Sequence, residues 1–255
     1  MDTKDAGLAI VKVDKENSDT TSIYFAGPEL EKFKNRKAGQ FASIRVFRDG
    51  AWSEPHPFTL SCAPEDDMLR MTIKKSGEFT TVVPEIEPGT PIQCVGPFGQ
   101  FCRGIDSKSN IVMIAGGVGI TPFLSVLRHF VEIKAQNRVT LFWANKTLDD
   151  AFAAKELEEY TRILSLNVVH AFSRMAKEQS PPSPIFHDSR PGTIVHEFGR
   201  LDQQILTKHL PSKDAAFYLC GPPSMQQAIL SELEKCGVSA MQVDKEAFVF
   251  NKTAP

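Results

Sequence analysis

Through the first hundred residues, apolar positions come in short runs or alternate with polar ones. This is the period-two rhythm of strands whose faces meet different surroundings. The stretches LAIVKV (8–13), TSIYF (21–25), FASIRVF (41–47), PFTLS (57–61), LRMTIK (69–74) and PIQCV (91–95) read as strands, with turn residues between them. Only 28–36 and 79–86 read as briefly helical. Many short strands with turn signals predict a small antiparallel β-barrel.

After residue 110 the rhythm lengthens. NIVMIAG (110–116) has the unbroken apolar run of a buried strand, and Thr121 to Ala135 carries apolar residues at 123, 124, 127, 130 and 131, which is helical spacing. RVTLFWA (138–144) reads as a strand, and 150–164 as a helix with Ala153, Leu157, Tyr160 and Leu164 on one face. LNVVHAF (166–172), LDQQILTKHL (201–210) and AAFYLCG (215–221) read as strand, helix and strand. A last helix, 224–236, lines up Met225, Ile229, Leu233 and Cys236 and stops at Gly237. Alternating strand and helix predicts a doubly wound parallel sheet. The polar stretch RGIDSKSN (103–110) is the natural joint, so the expected domains are 1–104 and 105–255, and the four-proline loop 176–192 is expected to be the least ordered part.

Composition narrows the partners. The 255 residues carry a formal net charge of −2, with no basic surplus for nucleic acid. No apolar run approaches the roughly 20 residues of a membrane span, and the first residues lack a signal-peptide pattern, so a cytoplasmic location is expected. The five cysteines form no C-x-x-C pair, which argues against zinc or an iron–sulfur cluster.

Several loops suit phosphates and flat rings. Gly116, Gly117 and Gly119 follow the first strand of the parallel half, with Thr121 placed to cap a helix and Pro122 at its first position. Such a loop exposes backbone donors to a pyrophosphate, although a tight packing turn has the same composition. Cys220, Gly221 and Pro222 sit at the end of another strand of that sheet. In the first half, Phe58 beside Thr59 offers an aromatic face and a hydroxyl. Ile73, Lys74 and Lys75 lead into Gly77, Phe79 and Thr80, a second phosphate-like turn.

Read in order, H-P-F-T (56–59), G-x-x-T (77–80), G-P-F-G (96–99), G-G-V-G-I-T-P (116–122), C-G-P-P (220–223) and E-x-F (246–248) resemble the ferredoxin–NADP reductase superfamily over nearly the whole chain. The resemblance implies an FAD-binding barrel followed by a pyridine-nucleotide domain, with FMN as the alternative flavin. It implies that Phe58 stacks on the isoalloxazine, that Thr59 hydrogen-bonds near its N5, and that His56, Pro57, Ile73, Lys74, Gly77, Phe79 and Thr80 serve flavin binding. Gly116, Gly117, Gly119, Ile120 and Thr121 match the nucleotide loop, Cys220, Gly221 and Pro222 would lie by the nicotinamide, and Glu246 and Phe248 match the terminal acid-x-aromatic. Phe248 would cover the flavin until nicotinamide displaces it. His56 stands where Arg is common, a form that resembles ferric-reductase-like branches.

The implied activity is hydride transfer from NADH or NADPH to flavin, then electron delivery to a separate acceptor, expected to be a protein. The alternatives are an electron-transfer subunit of a larger complex and a sensor that binds without turnover. Ser173 and Arg174 could pair with a 2′-phosphate or be surface groups, while Asp149 and Asp150 could disfavour that phosphate or cap a helix.

Overall fold

The structure, a computed structural model, describes residues 7–176 and 191–247. The described residues divide into two compact units, one holding 7–103 with Thr121–His129, the other Gly104–Ile120 with 130–176 and 191–247.

The first unit is antiparallel. Its strands are β1 (Ala9–Lys15), β2 (Thr20–Ala26), β3 (Phe41–Arg48), β4 (Ala51–Trp52), β5 (His56–Thr59), β6 (Leu69–Lys74) and β7 (Ile92–Phe98), with one short helix, α1 (Glu78–Val82). One sheet runs β1-β2-β6; in the other β3 pairs with β4, β5 and β7. The first two residues after β3, Asp49 and Gly50, both have positive φ and turn the chain into β4, the backbone that a tight hairpin requires. The sheets join at both margins. Ile10 N–H donates to Thr90 O (2.9 Å) and Ile92 N–H to Leu8 O (3.1 Å), linking β1 to β7, and Ser61 N–H donates to Arg70 O (2.8 Å), linking the end of β5 to β6. The six longer strands therefore close a circuit, β1-β2-β6-β5-β3-β7. Its interior is a single core in which Ile10, Ile23, Phe25, Ile44, Leu69 and Met71 are fully buried. Near the β5–β6 seam a buried polar chain is satisfied throughout: Ser22 Oγ to Thr72 Oγ1 (2.8 Å), Thr72 Oγ1 to Ser61 Oγ (3.0 Å), and Arg70 Nε to Ser61 Oγ (3.1 Å). Buried hydroxyls are tolerated when paired in this way.

Residues 121–129 group with this unit through specific bonds. The Ser125 hydroxyl donates to Cys62 O (2.6 Å) and accepts from Gly39 N–H (3.2 Å). Arg128 pairs with Asp66 at 3.0 Å, and His129 Nδ1 lies 2.8 Å from Glu65.

The second unit is built on β8 (Asn110–Gly116), β9 (Arg138–Asn145), β10 (Leu166–Phe172), β11 (Thr193–Phe198), β12 (Ala216–Gly221) and β13 (Val243–Ala247). Its helices are α2 (Thr121–Glu132), which begins in the other unit, α3 (Ala154–Thr161), α4 (Gln203–His209) and α5 (Pro223–Lys235). All strands are parallel, in the order β11-β10-β9-β8-β12-β13. Ile205 and Leu206 of α4 and Ile229 and Leu233 of α5 pack against Val112, Ile114, Phe142 and Leu219. The winding reverses between β8 and β12, so their carboxyl ends flank the crevice where open α/β sheets bind ligands.

The fold follows the sequence pattern with a few differences. The helix expected over 150–164 shrinks to α3, because Thr147 N–H and Oγ1 both bond Asp150 Oδ2 (2.8 Å each) and close a separate turn at 148–150. Strands β11 and β13 are additions, and residues 177–190 of the proline-rich loop lie outside the described residues. Asp202 caps α4 by accepting from Ile205 N–H at 3.0 Å. Replacing Asp202 by Ala should lower unfolding stability in urea by about 1 kcal/mol, the usual worth of such a cap.

Candidate functional site

Two sets of residues emerge, one in each unit. In the first unit, β5 carries His56, Pro57, Phe58 and Thr59, and alternation sends His56 and Phe58 to one side and Pro57 and Thr59 to the other. The His56 ring stacks on Phe79 at 3.9 Å and 17°, and Phe58 lies 6.1 Å from Phe79 at 21°. Desolvation holds the His56 pKa below its ordinary value, against a weaker opposing pull from Glu54, so the ring is neutral at pH 7. Thr59 is 4% exposed, and its Oγ1 has no hydrogen-bond partner among the described residues. A buried hydroxyl left unpaired costs about 1–3 kcal/mol.

The turn at 76–80 differs from its expected use. The Thr80 hydroxyl accepts from Ser76 N–H (2.7 Å) and Gly77 N–H (2.9 Å) and donates to Gly77 O (3.1 Å). It therefore shapes the turn and is not a spare donor. Lys74 is paired with Asp19 at 2.8 Å, and the Ile73 side chain is buried in the core, so only its backbone faces outward use. A Cβ added at Gly77 would meet nothing within 4 Å, which marks open space beside the turn.

In the second unit, β8 ends at Gly116 and a 3-10 turn, Gly117–Ile120, runs straight into α2. The expected N-cap at Thr121 is corrected: Thr121 is the first residue of α2 and Pro122 the second. Gly117 causes the shift, because its φ of +52° swings the chain out of the strand and lets helical turns begin four residues early. The glycines divide their work. A Cβ at Gly119 would sit 2.4 Å from Cys220 O, so Gly119 serves close packing onto β12, whereas Gly117 faces open space. Buried Trp143 fixes the loop by donating from Nε1 to Gly117 O at 2.9 Å.

At the end of β12 the Cys220 thiol is fully buried. Burial, and then the Glu246 charge, push its pKa well above the ordinary thiol range. Cys220 is thus a neutral shape-forming group and a poor nucleophile. Its register partner on β13 is Glu246. Burial, and secondarily Asp244, raise the Glu246 carboxyl to about 7, and its Oε2 has no partner among the described residues. Gly221 is buried and Pro222 is exposed at the head of α5. Beyond β10, Ser173 N–H donates to Asn145 O (3.0 Å) and Arg174 N–H to Lys146 O (2.8 Å), with both side chains exposed. Asp150 is the capping group of its own turn. Phe248 lies outside the described residues.

Sequence reasoning missed three residues: Trp143, Asn145, whose buried amide has no partner at either atom among the described residues, and Gln226. The first two sit inside an apolar strand run and nothing local marks them. Gln226 does leave a trace, as the one polar residue buried on α5.

One unit is a closed antiparallel barrel and the other a doubly wound parallel sheet, the class of sheet that binds ligands at the carboxyl ends of its strands. Residues 6–87 match the family described as FAD-binding domain and residues 113–231 the oxidoreductase NAD-binding domain. The chain thus carries an FAD-binding domain followed by an oxidoreductase NAD-binding domain, and its cofactors are FAD and a nicotinamide nucleotide. It is 26% identical over 243 residues to a flavohemoprotein of Bacillus subtilis, covering 94% of this chain and 58% of that protein. It is 26% identical over 250 residues to the reductase component of propane 2-monooxygenase from Mycolicibacterium goodii, covering 96% of this chain and 68% of that one. The fold matches the cytochrome b5 reductase domain of Ulva prolifera nitrate reductase with a TM-score of 0.74 at 20% identity, over 96% of this chain and 99% of the other. The chain thus spans little more than half the length of its flavohemoprotein relative. Among the described residues no helix is long and apolar enough to cross a membrane, and no group of three or more His, Cys, Asp or Glu could hold a metal ion.

Proposed function

We propose that this chain takes hydride from NADH or NADPH onto bound FAD and passes the electrons to a separate acceptor, a protein or a further domain, in the cytoplasm. The observation that carries this reading is the Thr59 hydroxyl, buried and without a partner among the described residues, in a barrel of the FAD-binding family. It fits a flavin because a ring nitrogen would supply the missing partner. FAD, when bound, supplies the ring that accepts hydride and can release electrons singly.

The chain's own residues do the rest. Thr59 donates a hydrogen bond, and His56, Phe58 and Phe79 form a flat, uncharged wall of the binding surface. Gly77 leaves room for phosphate oxygens to approach the backbone, and Gly117 does the same for the nucleotide. Cys220 shapes the nicotinamide pocket as a neutral thiol, and Glu246 holds a proton near neutral pH. Arg174 and Asp149 are both exposed, so both nucleotides enter the test. The names of the relatives, a flavohemoprotein and an oxygenase reductase component, support an acceptor beyond these two units.

The test is direct. Purified protein should be yellow and release FAD on denaturation, and anaerobic NADH or NADPH should bleach its flavin band near roughly 450 nm. A colourless protein that takes up neither FAD nor FMN ends the reading, and a flavin that neither nucleotide bleaches leaves only a binding role. Replacing Gly77 by Val should raise the FAD dissociation constant about tenfold, on the order of 1.4 kcal/mol. The same change falls at the N-cap of α1, where Val is a poorer residue than Gly, so flavin-free stability should drop by no more than about 1 kcal/mol. Fluorescence titration and urea unfolding check the two halves.

A further inference from the structure

Gln226 is 6% exposed on α5, beside Ile229 and Leu233 of the same helix, which are buried as apolar packing. A buried amide is costly unless it is paired, and this one is paired in a particular way. Its Nε2 donates to Gly221 O at 2.9 Å and to Glu246 O at 2.7 Å. Both amide hydrogens thus go to main-chain carbonyls of neighbouring strands, at the rungs where Cys220 faces Glu246 and Gly221 faces Ala247. The strand being held needs it. Among the described residues β13 is the sheet's edge, paired on one side only, and its sequence VDKEA has little apolar surface to anchor it. Yet Glu246, near its end, buries Oε2 without a partner among the described residues.

We propose that Gln226 is a positioning residue that pins the end of β13 to β12 and so holds the Glu246 carboxyl beside the Cys220 thiol. The inference rests on the reading that this strand end is the nicotinamide site. Burial and Asp244 on its own strand act on Glu246, and Glu246 in turn acts on Cys220 of β12. A Glu246 released from this corner gains water, and its titration midpoint falls toward that of an ordinary carboxylate.

The experiment compares wild type with Gln226→Leu. In flavin-free protein, amides of residues 245–247 should exchange at least tenfold faster in the variant, read by mass spectrometry, with β8 and β9 unchanged. The Glu246 midpoint, followed by carboxyl carbon NMR, should move down from about 7. In flavin-loaded protein, reduction by the preferred nucleotide should slow at least tenfold while nucleotide affinity changes less than threefold. Unchanged exchange and an unchanged midpoint overturn the proposal. Faster exchange with an unchanged reduction rate also overturns it, since the residue would then be structural only. Should Gln226→Leu fail to fold, Gln226→Met, nearer in shape and equally without donors, is held to the same outcomes. A wild-type flavin that neither nucleotide reduces defeats the functional reading, while the flavin-free measurements still decide the clamp.

Discussion

Replacing Thr59 by Val should slow reduction of the bound flavin at least tenfold and, at the same time, make the flavin-free protein more stable. The two effects have one cause. In the barrel the Thr59 hydroxyl is 4% exposed and unpaired among the described residues, so the empty protein bears a desolvation cost of about 1–3 kcal/mol. Val keeps the branched shape and removes that cost. With flavin present the sign reverses, because the hydroxyl is then the group that completes the ring's hydrogen bonding. A tenfold loss in rate is about 1.4 kcal/mol of barrier. Stopped-flow reduction and urea unfolding of the flavin-free form read the two halves separately. A variant that is less stable when empty and equally fast when loaded would make Thr59 a packing residue and remove it from the chemistry.

Which parts of this architecture could be read from residues alone depends on where each strand lies. Central strands such as β8 (NIVMIAG) and β10 (LNVVHAF) are covered on both faces, so their apolar runs are unbroken and plain. β13 is a five-residue edge strand, and VDKEA carries too few apolar residues to show a pattern; charge there also discourages unwanted pairing. β4 is two residues long and owes its existence to the Asp49–Gly50 turn. Among site residues, glycine loops announce themselves by composition, but composition does not say which glycine packs and which faces a ligand. The 2.4 Å approach of a Gly119 Cβ to Cys220 O and the open space at Gly117 separate the two, and only the path of the chain reveals them. Thr80 has the same lesson in reverse. Its place in the motif suggested a donor to phosphate, and its hydroxyl is consumed inside the turn that the motif describes.

Between pH 7 and pH 5 the stability of the wild-type protein should change little, because two buried groups work against each other. His170 is 2% exposed on β10, stacked on Phe172 at 5.8 Å and 4°, with Trp143 and His196 as ring neighbours and Nδ1 unpaired among the described residues. Burial, and then the neighbouring His196, lower its pKa from 6.5 to about 3. The unfolded chain therefore takes up a proton below pH 6.5 that the folded chain refuses until about pH 3, so stability falls as pH falls through that window. By pH 5 the loss is about 2 kcal/mol, at 1.36 kcal/mol per unit. Glu246 has the opposite sign. Its folded pKa of about 7 exceeds the reference value of 4.5, so the folded state takes up its proton first and stability rises as pH falls from 7 toward 4.5. Its partial exposure discounts that gain to about 1–2 kcal/mol. Two substitutions should pull the flat profile apart. His170→Leu should make the protein gain stability on going from pH 7 to 5, relative to its own value at pH 7, while Glu246→Gln should make it lose about 2 kcal/mol over the same interval. Urea unfolding at both pH values measures each difference within one variant, so the cavity or shape change that the substitution introduces cancels. A His170→Leu profile parallel to wild type would mean that the folded imidazole takes up its proton as readily as in the unfolded chain, which its burial on β10 argues against.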